Sequence, residues 1–97
     1  MRKTNNDKHL KDVIQDLLEV YKLRPKINEA KLVEAWERLM GKTIAKSTSK
    51  ISLKDEVLYL QIDSSVIKSE LSFAKSKIIE LVNKELGGTY IKRVEIK

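Results

Sequence analysis

The sequence predicts an α+β domain in two layers, a three-stranded sheet with helices packed on one face, in the order ααββαβ. Apolar residues recur with the period of a helix in the first half of the chain and again after residue 64. Between residues 50 and 62, and again near the end, they alternate with polar residues, as in strands with one buried face. A strand, helix, strand unit closes as a right-handed crossover, so the last strand should return to the same sheet.

The length of the chain fits one domain over residues 1–97. A chain of 97 residues, with 41% hydrophobic and 35% charged residues, can bury one core but not two. It contains no internal repeat, low-complexity stretch or interdomain linker. Residues 1–5 are expected to fray, because chain ends without buried side chains are held by few contacts.

The first element is predicted to be an amphipathic helix that ends near Leu23. Thr4 followed by Asp7 resembles a capping box at its start. Its apolar face has helical spacing and comprises Leu10, Val13, Ile14, Leu17, Leu18 and Tyr21.

A second helix is predicted to begin at Asn28, which suits the N-cap position. Pro25 disfavours the helical conformation at Arg24, so an extended link is expected before this helix. Gly41 should weaken the helix locally. The apolar side continues beyond that glycine and comprises Leu32, Val33, Trp36, Leu39, Met40, Thr43 and Ile44.

Two strands with a period of two follow the second helix. Ile51 and Leu53 alternate with polar residues in the first strand, and the apolar residues of the second are Leu58, Leu60 and Ile62. Residues 54–56 leave room only for a tight reversal. The two strands should therefore pair as an antiparallel hairpin, although the glycine preferred in such turns is missing.

One long helix and one strand complete the predicted domain. The serines at 64–65 can cap the helix, which should end at Leu86 before two glycines. Residues 90–97 are typical of a last strand with Val94 and Ile96 facing inward. The predicted core face of the helix comprises Val66, Ile67, Leu71, Ala74, Ile78, Leu81 and Val82.

The positive charge of the chain is concentrated in one segment. The net charge is +6 and the isoelectric point is about 9.6. Residues 22–50 hold eight basic and three acidic side chains, an excess of +5, whereas the excess is 0 over residues 1–21 and +1 over residues 51–97. Such a concentration favours an anionic partner contacted through this segment.

The predicted second helix carries Lys31, Arg38, Lys42 and Lys46 along one stripe at 100° per residue, away from its apolar face. Lysines in such a stripe contact phosphates as point charges, with salt-dependent affinity and little sequence preference. The alternative is a solvated helix face, on which Glu34 pairs with Arg38. With the flanking cations included, the candidate nucleic-acid-binding residues are Lys22, Arg24, Lys26, Lys31, Arg38, Lys42, Lys46 and Lys50.

Two aromatic residues could in principle stack on nucleic-acid bases. Trp36 occupies a core-facing position of the second helix, where packing is the favoured interpretation. Tyr59 is expected on the outer face of the sheet and is the freer candidate for stacking.

The sequence contains no recognisable catalytic residues or motif, so an enzyme is not expected. It has no cysteine, and the single histidine, His9, is expected on the surface, so no metal site or cofactor is predicted. Residues 41–43 imitate the end of a phosphate-binding P-loop, but Trp36 stands where that motif needs a glycine. With neither a secretory signal nor an apolar run of membrane-spanning length, the expected location is the cytoplasm, without a membrane or small-molecule partner.

One set of residues between Ala35 and Lys97 has the types and the order of a known family: Trp36, Gly41, Ile44, Ala45, Ser47, Thr48, Leu58, Leu60, Ile62, Ser64, Ser65, Glu70, Leu71, Leu86, Gly87, Val94, Glu95 and Ile96. Through these residues the region resembles the DciA family of bacterial proteins that operate with the replicative helicase. This resemblance implies a fold similar to a type II KH domain, DNA binding, and contact with the hexameric helicase during its loading at replication origins. The GxxG loop of KH domains is absent, so contacts to the nucleic-acid backbone are expected elsewhere.

The leading hypothesis is therefore a non-enzymatic, DNA-binding accessory of the replicative helicase. Its expected partners are the helicase and single-stranded or branched DNA, bound with little sequence preference. An RNA-binding KH-like module and a protein-protein adaptor that binds no nucleic acid stay open as alternatives.

Overall fold

The computed structural model describes residues 3–20 and 23–97, which form five helices and three strands. The α+β class is confirmed, with more helices than the sequence predicted because two of the predicted helices are each divided in two. The elements are α1 (Lys3–Val20), α2 (Arg24–Met40), α3 (Lys42–Ser47), β1 (Thr48–Lys54), β2 (Val57–Ile62), α4 (Ser65–Ser72), α5 (Lys75–Leu86) and β3 (Arg93–Ile96).

The sheet has the order β1-β2-β3, with β2 in the centre. β1 pairs antiparallel with β2, which confirms the predicted hairpin. Asp55 and Glu56 form its two-residue turn with φ values of 52° and 66°. Aspartate is common at the first of these positions, whereas Glu56 occupies the second, where glycine is preferred. β3 pairs parallel with β2, as a crossover through α4 and α5 requires.

The core lies on one face of the sheet, called here the inner face. Its sheet residues are Leu58, Leu60 and Ile62 of β2 with Val94 of β3, all at most 4% exposed. Burial of each such side chain stabilises the domain by about 1.5–3 kcal/mol. The helices cover this face with Leu32, Trp36, Leu71, Ile78, Val82 and Leu86.

Gly41 divides the predicted second helix into α2 and α3. It adopts φ 90° and ψ 164°, a conformation that residues with a Cβ rarely reach. Its N–H donates to the carbonyl of Glu37 at 2.8 Å and closes α2, while its own carbonyl accepts from the N–H of Ala45 at 3.0 Å and opens α3. The prediction of one helix continuing to Ile44 is therefore wrong.

The start of α2 also differs from the prediction. The helix begins at Arg24, with Pro25 in its first turn. The first turn tolerates proline because the N–H groups there have no partner within the helix. Asn28 is not the N-cap but lies inside the helix and is 2% exposed.

The predicted long helix after the hairpin is divided at Phe73 and Ala74 into α4 and α5. The N–H of Phe73 donates to the Glu70 carbonyl at 3.2 Å, and that of Ala74 donates to the Leu71 carbonyl at 3.0 Å. Such tight bonds to the third preceding residue end an α-helix. Val66, predicted to be in the core, is 69% exposed, so that part of the prediction is wrong.

Both predicted ends of that helical region are correct. The Ser64 hydroxyl accepts from the N–H of Ile67 at 3.3 Å and caps α4. Gly87 ends α5 in the left-handed conformation with φ 82°. The last strand is shorter than predicted and begins at Arg93.

The predicted first helix exists as α1, but its apolar face is not buried. Leu10, Val13, Ile14 and Leu17 are 39–57% exposed. Thr4 lies inside the helix and so is not its N-cap. Tyr21 and the side chain of Leu18, which were assigned to the same face, lie outside the described part of the chain.

Candidate nucleic-acid interface

Lys31 and Arg38 lie in a groove between α2 and α5 that also holds two carboxylates, Glu34 and Glu85. Arg38 Nη2 donates to Glu85 Oε2 at 2.8 Å, so Arg38 pairs across the groove and not with Glu34 along its own helix. The hydrogen bond from Arg38 lowers the pKa of Glu85, against the effect of desolvation, and the charge of Lys31 lowers it further. Two cations and two carboxylates leave this groove nearly neutral.

Arg24 is held inside the domain by three contacts and is only 16% exposed. Its guanidinium lies 6.0 Å from the centre of the Tyr90 ring. It also donates to the side chain of Gln15 and lies 3.8 Å from the Glu19 carboxylate, so it joins α1 to α2. Arg24 is thus a structural contact between elements, with little of its surface available to a ligand.

The other predicted cations differ in position and in what surrounds them. Lys26 is exposed in the first turns of α2, and Lys42 and Lys46 are exposed on α3. Lys42 and Lys46 are four residues apart and so lie on one side of α3. Among the described residues, none of these three lysines forms an ion pair. Lys22 lies outside the described residues.

The predicted stripe is interrupted because Gly41 separates α2 from α3. Lys31 and Arg38 belong to one helix, and Lys42 and Lys46 to another. The four cations are therefore divided between two helices, where the sequence predicted one continuous stripe.

A β-bulge at the start of β1 directs Lys50 away from the core. The pairing shifts between Thr48 and Lys50, so Ser49 is the extra residue. Thr48 turns inward, where its hydroxyl accepts from Trp36 Nε1 at 3.0 Å and donates to the Ile44 carbonyl at 2.7 Å. Without the extra residue, alternation would place Thr48 and Lys50 on the same face.

Trp36 is a core residue, as predicted. It is 3% exposed, and its indole N–H is satisfied by Thr48. It therefore cannot stack on a base while the domain is folded.

The outer face of the sheet, opposite the core, carries Tyr59 among several polar side chains. They line a shallow depression of about 280 Å³. Tyr59 is half-buried, whereas Lys50, Lys54 and Gln61 are exposed. No aspartate or glutamate side chain lines the depression in the part of the chain that the structure describes. Its polar and aromatic lining comprises Lys50, Ser52, Lys54, Tyr59, Gln61 and Lys97.

The pairing of the strands fixes the positions around Tyr59. Ser52 lies directly opposite it on β1, and Glu95 lies opposite it on β3. The Glu95 carboxylate lies 3.1 Å from Arg93 Nε. Lys97 extends the β3 pairing by one residue, because its N–H donates to the Leu60 carbonyl at 2.8 Å and its carbonyl accepts from Ile62 N–H at 2.8 Å.

Sequence reasoning placed Tyr59 on the outer face but did not include Lys54, Gln61 or Lys97 in the candidate site. The signal was present in the alternation of β1 and β2, which assigns every second residue to the same face as Tyr59. The predicted nucleic-acid-binding residues ended at Lys50 because they were chosen from the basic segment, residues 22–50.

The described residues contain neither a metal-binding cluster nor a membrane span. No group of three or more histidine, cysteine, aspartate or glutamate side chains among them could hold a metal ion. None of the described helices is long and apolar enough to cross a membrane. His9 is exposed, as predicted.

Comparison with known proteins gives one family. The family model described as "Dna[CI] antecedent, DciA" matches residues 9–96. No curated protein matches the chain at a significant level of sequence similarity. The matched range contains all five helices in whole or in part and all three strands.

Proposed function

The chain belongs to the DciA family, and from this premise we propose that it is a non-enzymatic, DNA-binding accessory protein that contacts the bacterial replicative helicase and assists its loading. Membership of the family supports a role in DNA replication. The match over residues 9–96 is the observation that carries the proposal. The protein acts in the cytoplasm and needs no cofactor, metal or small-molecule substrate.

The DNA-binding half of the proposal is supported by exposed cations that have no carboxylate partner among the described residues. Lys42 and Lys46 on α3 are exposed, and Lys50 follows on β1. Lys26 and Lys31 on α2 add positive charge, while Arg38 contributes less because Glu85 neutralises it. Point charges of this kind bind the phosphate backbone and release counterions, so binding is sensitive to salt and nearly independent of sequence.

The helicase-binding half is supported by the apolar face of α1. Four of its aliphatic side chains are 39–57% exposed. An apolar stripe on a helix is the surface by which such helices dock into grooves of protein partners. We assign this stripe, Leu10, Val13, Ile14 and Leu17, to the helicase, so the two proposed functions use separate surfaces.

Fluorescence anisotropy with labelled single-stranded, branched and duplex DNA tests the DNA half. Affinity is expected to fall steeply between 50 and 200 mM salt, since log K falls by about 0.7 per phosphate contact for each tenfold rise in salt on single strands. Replacement of Lys31, Lys42 and Lys46 by glutamate should abolish binding, with circular dichroism as the check on folding. Binding that cannot be measured at low salt would refute this half.

A pulldown with the helicase of the same organism, with and without nuclease, tests the second half. The wild-type protein should retain the helicase after nuclease treatment, and Leu10→Ser with Ile14→Ser should lose it while binding DNA normally. A protein that binds the helicase in high salt but never binds DNA would instead be an adaptor. A clear preference for structured RNA over DNA would identify an RNA-binding module.

A further inference from the structure

The outer face of the sheet combines a half-buried tyrosine, Tyr59, with exposed lysines. We infer that it is a binding surface for single-stranded DNA, on which one base stacks on Tyr59 while Lys50 and Lys54 contact the flanking phosphates. The inference rests on the proposed DNA binding. It adds a position and a mode of contact, stacking, which the lysines of α2 and α3 cannot provide.

The register of the hairpin places the two lysines on either side of the ring. Ser52 is the direct partner of Tyr59, so Lys50 and Lys54 are its two diagonal neighbours on β1. Diagonal neighbours on one face of a sheet are about 7–8 Å apart, within reach of a lysine side chain. The residue between the lysines, Ser52, is small, so it covers less of the ring than a larger side chain would.

The charges around Tyr59 also determine on which side of the ring the sugar-phosphate backbone of the ligand should lie. Glu95 lies opposite it on β3, and its charge disfavours a phosphate on that side even though Arg93 pairs with it. The β1 side carries only polar or positive side chains in the depression. The sugar-phosphate backbone of the ligand should therefore follow β1.

This path continues onto α3. β1 begins at Thr48, directly after α3 ends at Ser47, so no loop separates Lys46 from Lys50. A DNA strand that follows β1 from Lys54 to Lys50 can thus continue toward the exposed lysines of α3. The sheet would supply stacking, and α3 would supply further phosphate contacts.

The ligand is single-stranded because its bases must expose a face to the tyrosine. In a duplex both faces of an internal base are covered by its neighbours, whereas single strands present them freely. Stacking on an aromatic side chain tolerates any base, in agreement with the low sequence preference that phosphate contacts produce.

The test compares variants of Tyr59 and of its flanking lysines in anisotropy titrations with a labelled oligothymidine. Tyr59→Ala should lower affinity by about tenfold, and Tyr59→Phe, which keeps the ring face, should stay within about twofold of wild type. Lys50→Gln with Lys54→Gln should lower affinity similarly and reduce the salt slope by about 1.4, the value for two contacts. Lys68→Gln with Lys75→Gln, on the helices that cover the inner face, is the matched control for lost charge and should bind normally.

Photocrosslinking of the wild-type protein to an oligonucleotide that contains 5-iododeoxyuridine gives a second readout, independent of how variants fold. Mass spectrometry should locate the crosslink at Tyr59, with Tyr90 as the internal comparison.

The outcomes separate the two proposals. Absence of DNA binding by the wild-type protein refutes the proposed function. If the wild-type protein binds but the Tyr59 and lysine variants bind equally well, or crosslinks map to α3 alone, only the sheet surface is refuted. Tighter binding to duplex DNA, or to RNA of the same sequence, would overturn its assignment to single-stranded DNA.

Discussion

Two regions of this domain that contain cations have similar size but differ in net charge. The groove between α2 and α5 and the depression on the outer sheet face measure about 270 and 280 Å³. The groove holds two cations beside two carboxylates, one of them hydrogen-bonded to Arg38. The depression holds three lysines and a tyrosine without an aspartate or glutamate side chain among the described residues. The net charge counted along a segment of sequence therefore does not show which cations remain unpaired in the fold and can bind an anionic ligand.

The largest expected difference between the two regions appears when each loses two cations. Lys50→Gln with Lys54→Gln should weaken binding of single-stranded DNA by about tenfold at low salt, because the inferred surface uses both lysines as phosphate contacts. Lys31→Gln with Arg38→Gln should weaken it by less than about threefold, since Glu85 already neutralises Arg38. Anisotropy titrations at equal salt measure both. Equal losses would show that the groove binds DNA as well as the sheet does.

A smaller effect of opposite sign is expected when each region loses one carboxylate. Glu95→Gln should strengthen binding of single-stranded DNA by about two- to threefold, because it removes a negative charge beside Tyr59 and releases Arg93. Glu85→Gln releases Arg38 in the same way but lies in the groove, so its gain should be smaller. A larger gain from Glu85→Gln would move the proposed DNA path from the sheet to the groove.

The smallest expected effect is a pH dependence of stability that comes from Glu85 in the groove. Because Arg38 lowers the pKa of Glu85 in the folded protein, this carboxylate stabilises the fold above its ordinary pKa of 4.5. That contribution is lost as the pH falls through the lowered value. Thermal melting should therefore show that Arg38→Ala destabilises the domain slightly at pH 7 and by progressively less as the pH falls below 4.5. A pH-independent difference would mean that Arg38 acts by packing.

Local sequence patterns predicted much of this fold because its elements obey local rules. The alternation of β1 and β2 predicted the hairpin, and Ser64 and Gly87 marked the ends of the α4–α5 region correctly. The breaks at Gly41 and Phe73 were missed, because the apolar period continues across both positions. Periodicity records which side chains are apolar but not where the axis of a helix turns.

The candidate site was harder to predict because charge pairing is not local. Arg38 and Glu85 are 47 residues apart in sequence, and Arg24 contacts the ring of Tyr90 from the start of α2. Such pairs form only after the chain folds, so counting charges along a segment cannot reveal them. The side chains of the sheet face were more accessible to prediction, since alternation alone assigns Lys54 and Tyr59 to one side.

The indole of Trp36 gives this domain a built-in optical probe. It is the one tryptophan of the sequence and lies on the inner face, hydrogen-bonded to Thr48, while Tyr59 lies on the outer face. A nucleotide on the outer face cannot touch the indole, so binding there should leave the tryptophan emission maximum unchanged, whereas unfolding shifts it toward the red. A variant that no longer binds DNA but keeps the wild-type emission maximum is therefore still folded, whereas a red-shifted maximum shows that the variant has unfolded.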